Sequence, residues 1–143
     1  MAWTYYPAST LPAPLDIVWC RFPETIAFDK PAPKARPALV FQTAVSEPGF
    51  CPEVRVSYGT SNLKLATRKN DLFVHNYEDM HTAGLYQATR FDMDNIIWLP
   101  WAEEWFQPPG RNYASPVMGS LPDHQRRILA FMMIERQRKN PQK

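Results

Sequence analysis

The chain has 143 residues, one domain's worth, with 45% hydrophobic, 13% aromatic and 21% charged residues and a net charge of +2. That composition excludes a disordered polar chain, and no window approaches the roughly 18 apolar residues of a membrane span. Fifteen prolines against five glycines speak against a bundle of long helices and for short strands joined by stiff loops.

The N-terminus, MAWTYYPASTLPAP, has no basic stretch followed by a continuous apolar run, so no secretory signal is expected there. Cys20 and Cys51 fit neither a zinc spacing nor a disulfide framework, and read as two thiols in a reducing cytoplasm. Charge is unevenly spread. Residues 1–29 sum to −2, residues 30–90 to +3, residues 91–125 to −4 and residues 126–143 to +5. The chain can therefore present both an anion-binding face and an acidic one, which permits nucleic acid binding without requiring it.

Residues 1–14 read as an extended arm of prolines and aromatics. Leu15 to Phe22 has the β-branched and aromatic content of a strand, stopped by Pro23. Residues 23–37 form a loop with four prolines, Lys30, Lys34 and Arg36, and no glycine. A second strand spans Ala38 to Val45, and Glu47-Pro48-Gly49 turns the chain.

Residues 52–58 alternate with the period of a half-buried strand, ended by Gly59-Thr60-Ser61-Asn62. Short strands are expected at Asp71–Val74 and Asn95–Leu99, and the segment from Ala83 runs into a stretch ending at Arg90. Residues 100–120 are aromatic and proline-rich, with room for one helical turn at Trp101–Phe106. Trp98, Trp101, Trp105, Phe106 and Tyr113 could stack on unpaired bases, but such residues more often belong to a core. Pro122 and Asp123 suit a helix start, and the helix runs to about Arg138 with Ile128, Leu129, Phe131, Met132 and Met133 as a broad apolar face. Residues 139–143 are a basic tail. Five or six short strands and one terminal helix make a mainly β, α+β domain over residues 15–138, with a small barrel as the expected form.

His75, His81 and His124 have no partner spacing that suits paired acid–base work or a metal, and read as loop or surface residues. No Gly-rich phosphate loop and no G-x-S-x-G elbow occurs.

The order of certain pieces is distinctive: Asp16-Ile17-Val18-Trp19, then Arg36-Pro37-Ala38-Leu39-Val40, then a strand ending in Thr60-Ser61, then Gln87 with Asp92 five residues on. This order resembles the MazF/PemK toxins of toxin–antitoxin pairs, from about Leu15 to Asp92 and again weakly at Gly119-Ser120-Leu121 and the last helix. The resemblance implies an SH3-like barrel of the MazF/PemK/CcdB type, a homodimer in the cytoplasm, and an endoribonuclease cutting single-stranded RNA at specific sequences. It implies no metal and no cofactor, and a cognate antitoxin as protein partner. Arg36 falls on the family's catalytic arginine and Thr60 on its catalytic threonine, with Ser61 an alternative to Thr60. Lys30, Lys34, Ser61, Lys64, Arg68, Lys69 and Gln87 would line the RNA groove.

The chemistry suits those residue types. When a 2′-hydroxyl attacks its own phosphate, negative charge builds on the phosphoryl oxygens, and a guanidinium offers a planar bidentate clamp. Three departures from the family pattern stand out, one of them the stretch around residues 100–113, which looks like an insertion. The loop before Arg36 is stiffened by prolines, and Ala88-Thr89-Arg90 replaces the family's I-R-T order, exchanging Thr and Arg between strand faces. A different class of function stays open: a non-catalytic binding module on the same barrel, acting by protein contact as CcdB toxins do.

Overall fold

The structure is a computed structural model that describes residues 2–46, 51–63 and 71–139. Its strands are β1 (Asp16–Cys20), β2 (Arg36–Ser46), β3 (Cys51–Thr60), β4 (Leu72–Val74), β5 (Thr89–Pro100) and β6 (Val117–Ser120). Two α-helices accompany them, α1 (Tyr77–Ala83) and α2 (Asp123–Lys139). All six strands join one antiparallel sheet in the order β4-β5-β3-β2-β1-β6, with β4 and β6 at its two edges. The protein is mainly β with a C-terminal helix, an α+β fold, and the sheet is not closed.

Strand alternation divides the core into two layers. Ile17 and Leu39, partners across β1 and β2, join Leu72, Phe91, Met118 and Leu129 on one face. Val18 and Ala38, the next pair, join Val54, Val56, Leu99 and the aromatic insertion on the other. There Trp101, Trp105 and Phe106 are buried, so the core reading of the insertion holds for these three, while Trp98 is exposed. Residues 102–106 make the single helical turn that their spacing allowed, with the Phe106 and Trp105 amides donating to the Ala102 carbonyl at 3.0 and 3.1 Å, and Phe106 bridges to Cys20.

The N-terminal arm lies on this aromatic layer. Trp3 meets Trp105 edge-on at 5.3 Å, Tyr6 packs 5.2 Å from Trp101, and the Tyr6 hydroxyl donates to the Phe106 carbonyl at 2.7 Å. Trp101 Nε1 donates to Thr10 Oγ1, so the arm fills the polar need of a buried indole.

Two helical features depart from the sequence reading. Helix α1 was not expected, because its seven residues carry no apolar period. Its ends are nonetheless written in the sequence: Asn76 Oδ1 accepts from the Asp79 amide at 2.9 Å, and Gly84 closes it at φ 72°. In α2 the buried stripe runs through Gln125 and Leu129, with Met132 partly buried, a 4-then-3 spacing on one side of the cylinder. Ile128, Phe131 and Met133 fall off that stripe and are exposed, so the apolar face is narrower than the composition suggested.

Candidate functional site

Arg36 opens β2 and Thr60 closes β3. The register sets Ala38 opposite Tyr58, and two positions further along each strand lie Arg36 and Thr60. Gly59 makes this approach possible. A Cβ at position 59 would collide with the Pro37 carbonyl and come within 2.9 Å of the Phe91 ring, so only glycine lets the two strand ends lie this close. Cys20 pairs with Arg36 across β1, which brings the Trp19 ring to the same end of the sheet.

The result is a cavity of about 130 Å³ whose wall includes Lys34, Arg36, Thr60, Ser61, Gln87 and the two aromatics Trp19 and Tyr86. Five residues singled out from sequence, drawn from three separate stretches of chain, thus meet in one hollow. Among the described residues no carboxylate pairs with Arg36, so its guanidinium is available to an external anion. Thr60 is buried, and its Oγ1 accepts from the Asn62 amide at 3.1 Å. The hydroxyl proton stays available to donate, although the bond is also what a turn-closing threonine makes.

Lys30 stands apart. It is exposed and lines a separate groove of about 530 Å³ with Trp3 and Arg21, not the Arg36 cavity. Lys64, Arg68 and Lys69 lie outside the described residues. His75, His81 and His124 are exposed and none lines the Arg36 cavity.

The exchanged Thr89-Arg90 pair has a structural role. Arg90, paired with Thr60 in the β3–β5 ladder, is turned inward and bonds Asp71 at 2.7 Å, with side chains 6% and 0% exposed. Asp71 Oδ1 also accepts from the Met93 amide at 3.2 Å. Thr89 lines the cavity and donates its hydroxyl to the Gln87 carbonyl at 2.9 Å. Thr89 therefore helps set the backbone that presents Gln87, while Arg90 is spent on an internal ion pair.

Sequence reasoning did not mark Trp19, Tyr86, Tyr58 or Asn95 as site residues. Trp19 belonged to the β1 motif, and Tyr86 adjoins Gln87, which was the available signal for it. Tyr86 is 69% exposed at the cavity wall, and its hydrogen bond with Tyr113 of the insertion raises its phenol above the usual value. The insertion thus reaches the rim of the site through Tyr113.

A second cavity, of about 340 Å³, adjoins the first. Lys34 and Arg36 line both, and the larger adds Phe22, Glu24, Tyr58 and Asn95. No group of three or more His, Cys, Asp or Glu side chains able to hold a metal ion occurs among the described residues. No described helix is long and apolar enough to cross a membrane. No protein-family model matches the chain, and no curated protein matches it significantly.

Proposed function

We propose that the protein is a metal-independent endoribonuclease of the toxin kind, acting on single-stranded RNA at the Arg36 cavity. The observation that carries this reading is the convergence of Arg36, Thr60, Ser61, Gln87 and Lys34 on one small hollow with aromatic walls. The sequence order that resembles the MazF/PemK pattern lends it support. Bulges in β2 and β5 are what a short sheet needs to bend sharply, and so suit the SH3-like barrel of that family.

In this mechanism the ribose 2′-oxygen forms a bond to phosphorus while the bond from phosphorus to the 5′-oxygen breaks. A 2′,3′-cyclic phosphate and a free 5′-hydroxyl result. Water takes up the 2′-hydroxyl proton and supplies one to the leaving 5′-oxygen, so no net proton is gained or lost. Arg36 keeps its own proton and holds the phosphoryl oxygens as their charge grows; Lys34 adds a second positive charge at the same wall. Thr60 or Ser61 orients the 2′-hydroxyl or a phosphoryl oxygen, and the Gln87 amide and Tyr86 ring contact the nucleoside. The active species is a homodimer, held in check by a cognate antitoxin whose acidic and apolar segment would compete with RNA for the basic wall.

The test is incubation of the purified protein with a long mixed-sequence single-stranded RNA in EDTA, alongside Arg36→Ala. The expected outcome is discrete fragments with cyclic phosphate ends from the wild type, none from the variant, and matching melting temperatures. Intact RNA from a folded wild-type protein overturns the proposal. The binding-module reading, in which Thr60 only closes a turn, then takes its place.

A further inference from the structure

Arg36 and Lys34 stand on the wall common to two cavities, and this placement has a chemical counterpart in the substrate. A phosphodiester has its charge in the middle and a nucleoside on each side. Cations on a shared wall, with a hollow to either side, match that layout.

The larger cavity is furnished for a base. Phe22 and Tyr58 form a tilted ring pair with centroids 5.2 Å apart, Tyr58 is half-buried, and both residues line the hollow. Asn95 reaches the same wall through a break in the sheet. Between the pairs Ser57↔Ile96 and Gly59↔Phe91, β3 advances two residues while β5 advances five. The extra length of β5 is braced on three sides. Ser57 Oγ donates to the Asp92 carbonyl at 2.9 Å, the Asp94 amide to Asp92 Oδ1 at 2.9 Å, and Arg136 Nη2 of α2 to Asp94 Oδ1 at 2.7 Å. Such a bulge re-aims side chains beside functional sites.

Asn95 is half-buried there, and among the described residues nothing hydrogen-bonds its side-chain amide. An amide offers a donor and an acceptor side by side, the pattern needed to read the edge of an unpaired base.

We propose that the larger cavity is a nucleobase site. Asn95 reads the edge of the base next to the phosphate held at Arg36, and the Phe22–Tyr58 pair supplies the stacking wall. The proposal rests on the RNA reading above and extends it to sequence selection. Asn95 is then a specificity residue and takes no part in bond breaking.

The test uses the full chain and a set of short single-stranded 2′-fluoro oligonucleotides, which lack the attacking hydroxyl. Each position is varied through the four bases, and affinity is read by fluorescence anisotropy. The wild type is expected to prefer one base at one position by roughly 10- to 100-fold. Asn95→Ala flattens the preference at that position alone, and Asn95→Asp, which removes the donor, shifts it to another base. Arg36→Ala weakens all sequences together. Matching ribo-oligonucleotides, cut and sequenced in parallel, report cleavage. Selectivity that survives Asn95→Ala at every position overturns the base site, even where cleavage is intact. Selectivity lost in Asn95→Ala with no cleavage by the wild type keeps the base site and overturns the ribonuclease. An absence of oligonucleotide binding by the folded wild type overturns both.

Discussion

Arg36 and Arg90 show how the same side chain is given opposite work by its surroundings. Arg36 is half-buried, opens a strand, and has no carboxylate partner among the described residues, so its charge faces outward to a cavity. Arg90 is buried against Asp71, and its charge is answered inside the protein. Removing one partner of a buried pair leaves the other charge stranded in a low dielectric, which costs more than the pair contributes. Asp71→Ala is therefore expected to lose about 3–5 kcal/mol in urea unfolding. Asp71→Ala combined with Arg90→Met, which removes both charges, should recover a large part of it. A single variant with unchanged stability would show that water reaches Arg90. The cysteines are as unlike as the arginines. Burial pushes the Cys20 thiol far above its usual range, whereas Cys51 is half-buried, so the two should differ widely in reactivity.

Among the elements, the two helices are tied by one carboxylate. Asp79 of α1 is 3% exposed, and its Oδ2 accepts from Asn76 Nδ2 at 2.8 Å, His124 Nε2 at 2.8 Å and Gln125 Nε2 at 3.0 Å. Burial by itself would raise this carboxyl. The hydrogen bonds from Gln125, His124 and Asn76, with the His124 charge when protonated, outweigh it and hold Asp79 below the ordinary 3.8. A depressed carboxylate stabilises the fold above its unfolded value and loses that contribution as pH falls through the folded one. Wild type and Asp79→Asn are therefore expected to differ in melting temperature at neutral pH. The gap should begin to close near pH 4 and shrink further toward pH 2. A gap constant across that range would show that the loss in Asp79→Asn comes from packing and not from charge. The element-scale differences from the sequence reading have the same origin. Helix α1 is held by its caps and by Asp79, contacts that no apolar period announces, while the α2 stripe is fixed by what it faces.

For the whole molecule, the arm and the aromatic insertion form one layer. Neither covers the sheet alone: Trp105 and Trp101 fill the β1–β2–β3–β5 face, and Trp3 and Tyr6 close over them. Trp3→Ala with Tyr6→Ala removes two ring contacts and the hydrogen bond to Phe106, and about 3–5 kcal/mol is expected to be lost. Urea unfolding should stay a single transition, because the layer and the sheet share a core. A separate early transition would show that the arm folds as its own unit.

Much of the scaffold was legible in the chain itself. Alternation at residues 52–58 and the apolar run at 38–41 mark strands, because side-chain pattern is a local property. The prolines do not, since Pro37, Pro52 and Pro100 lie within β2, β3 and β5 and the loop expected over residues 23–37 ends before Arg36. The candidate site was half legible. Arg36, Thr60, Ser61 and Gln87 could be marked by type and order, and Lys34 by charge. Their meeting depends on Gly59 admitting the Pro37 backbone, a contact between residues 22 apart in sequence. Asn95 was invisible because a register break, not a periodicity, puts it on the cavity wall. Tyr58 looked like one more strand residue until its ring was found against Phe22. The partition between inward and outward arginine belongs wholly to the tertiary structure, since both follow equally plausible strand patterns. By itself, then, the sequence determined which segments extend, which turn and where charge concentrates, since those follow from neighbours along the chain. Only the tertiary structure decided which charges were neutralised inside, which stayed free at a cavity, and which two hollows share a wall, since those depend on contacts between distant segments.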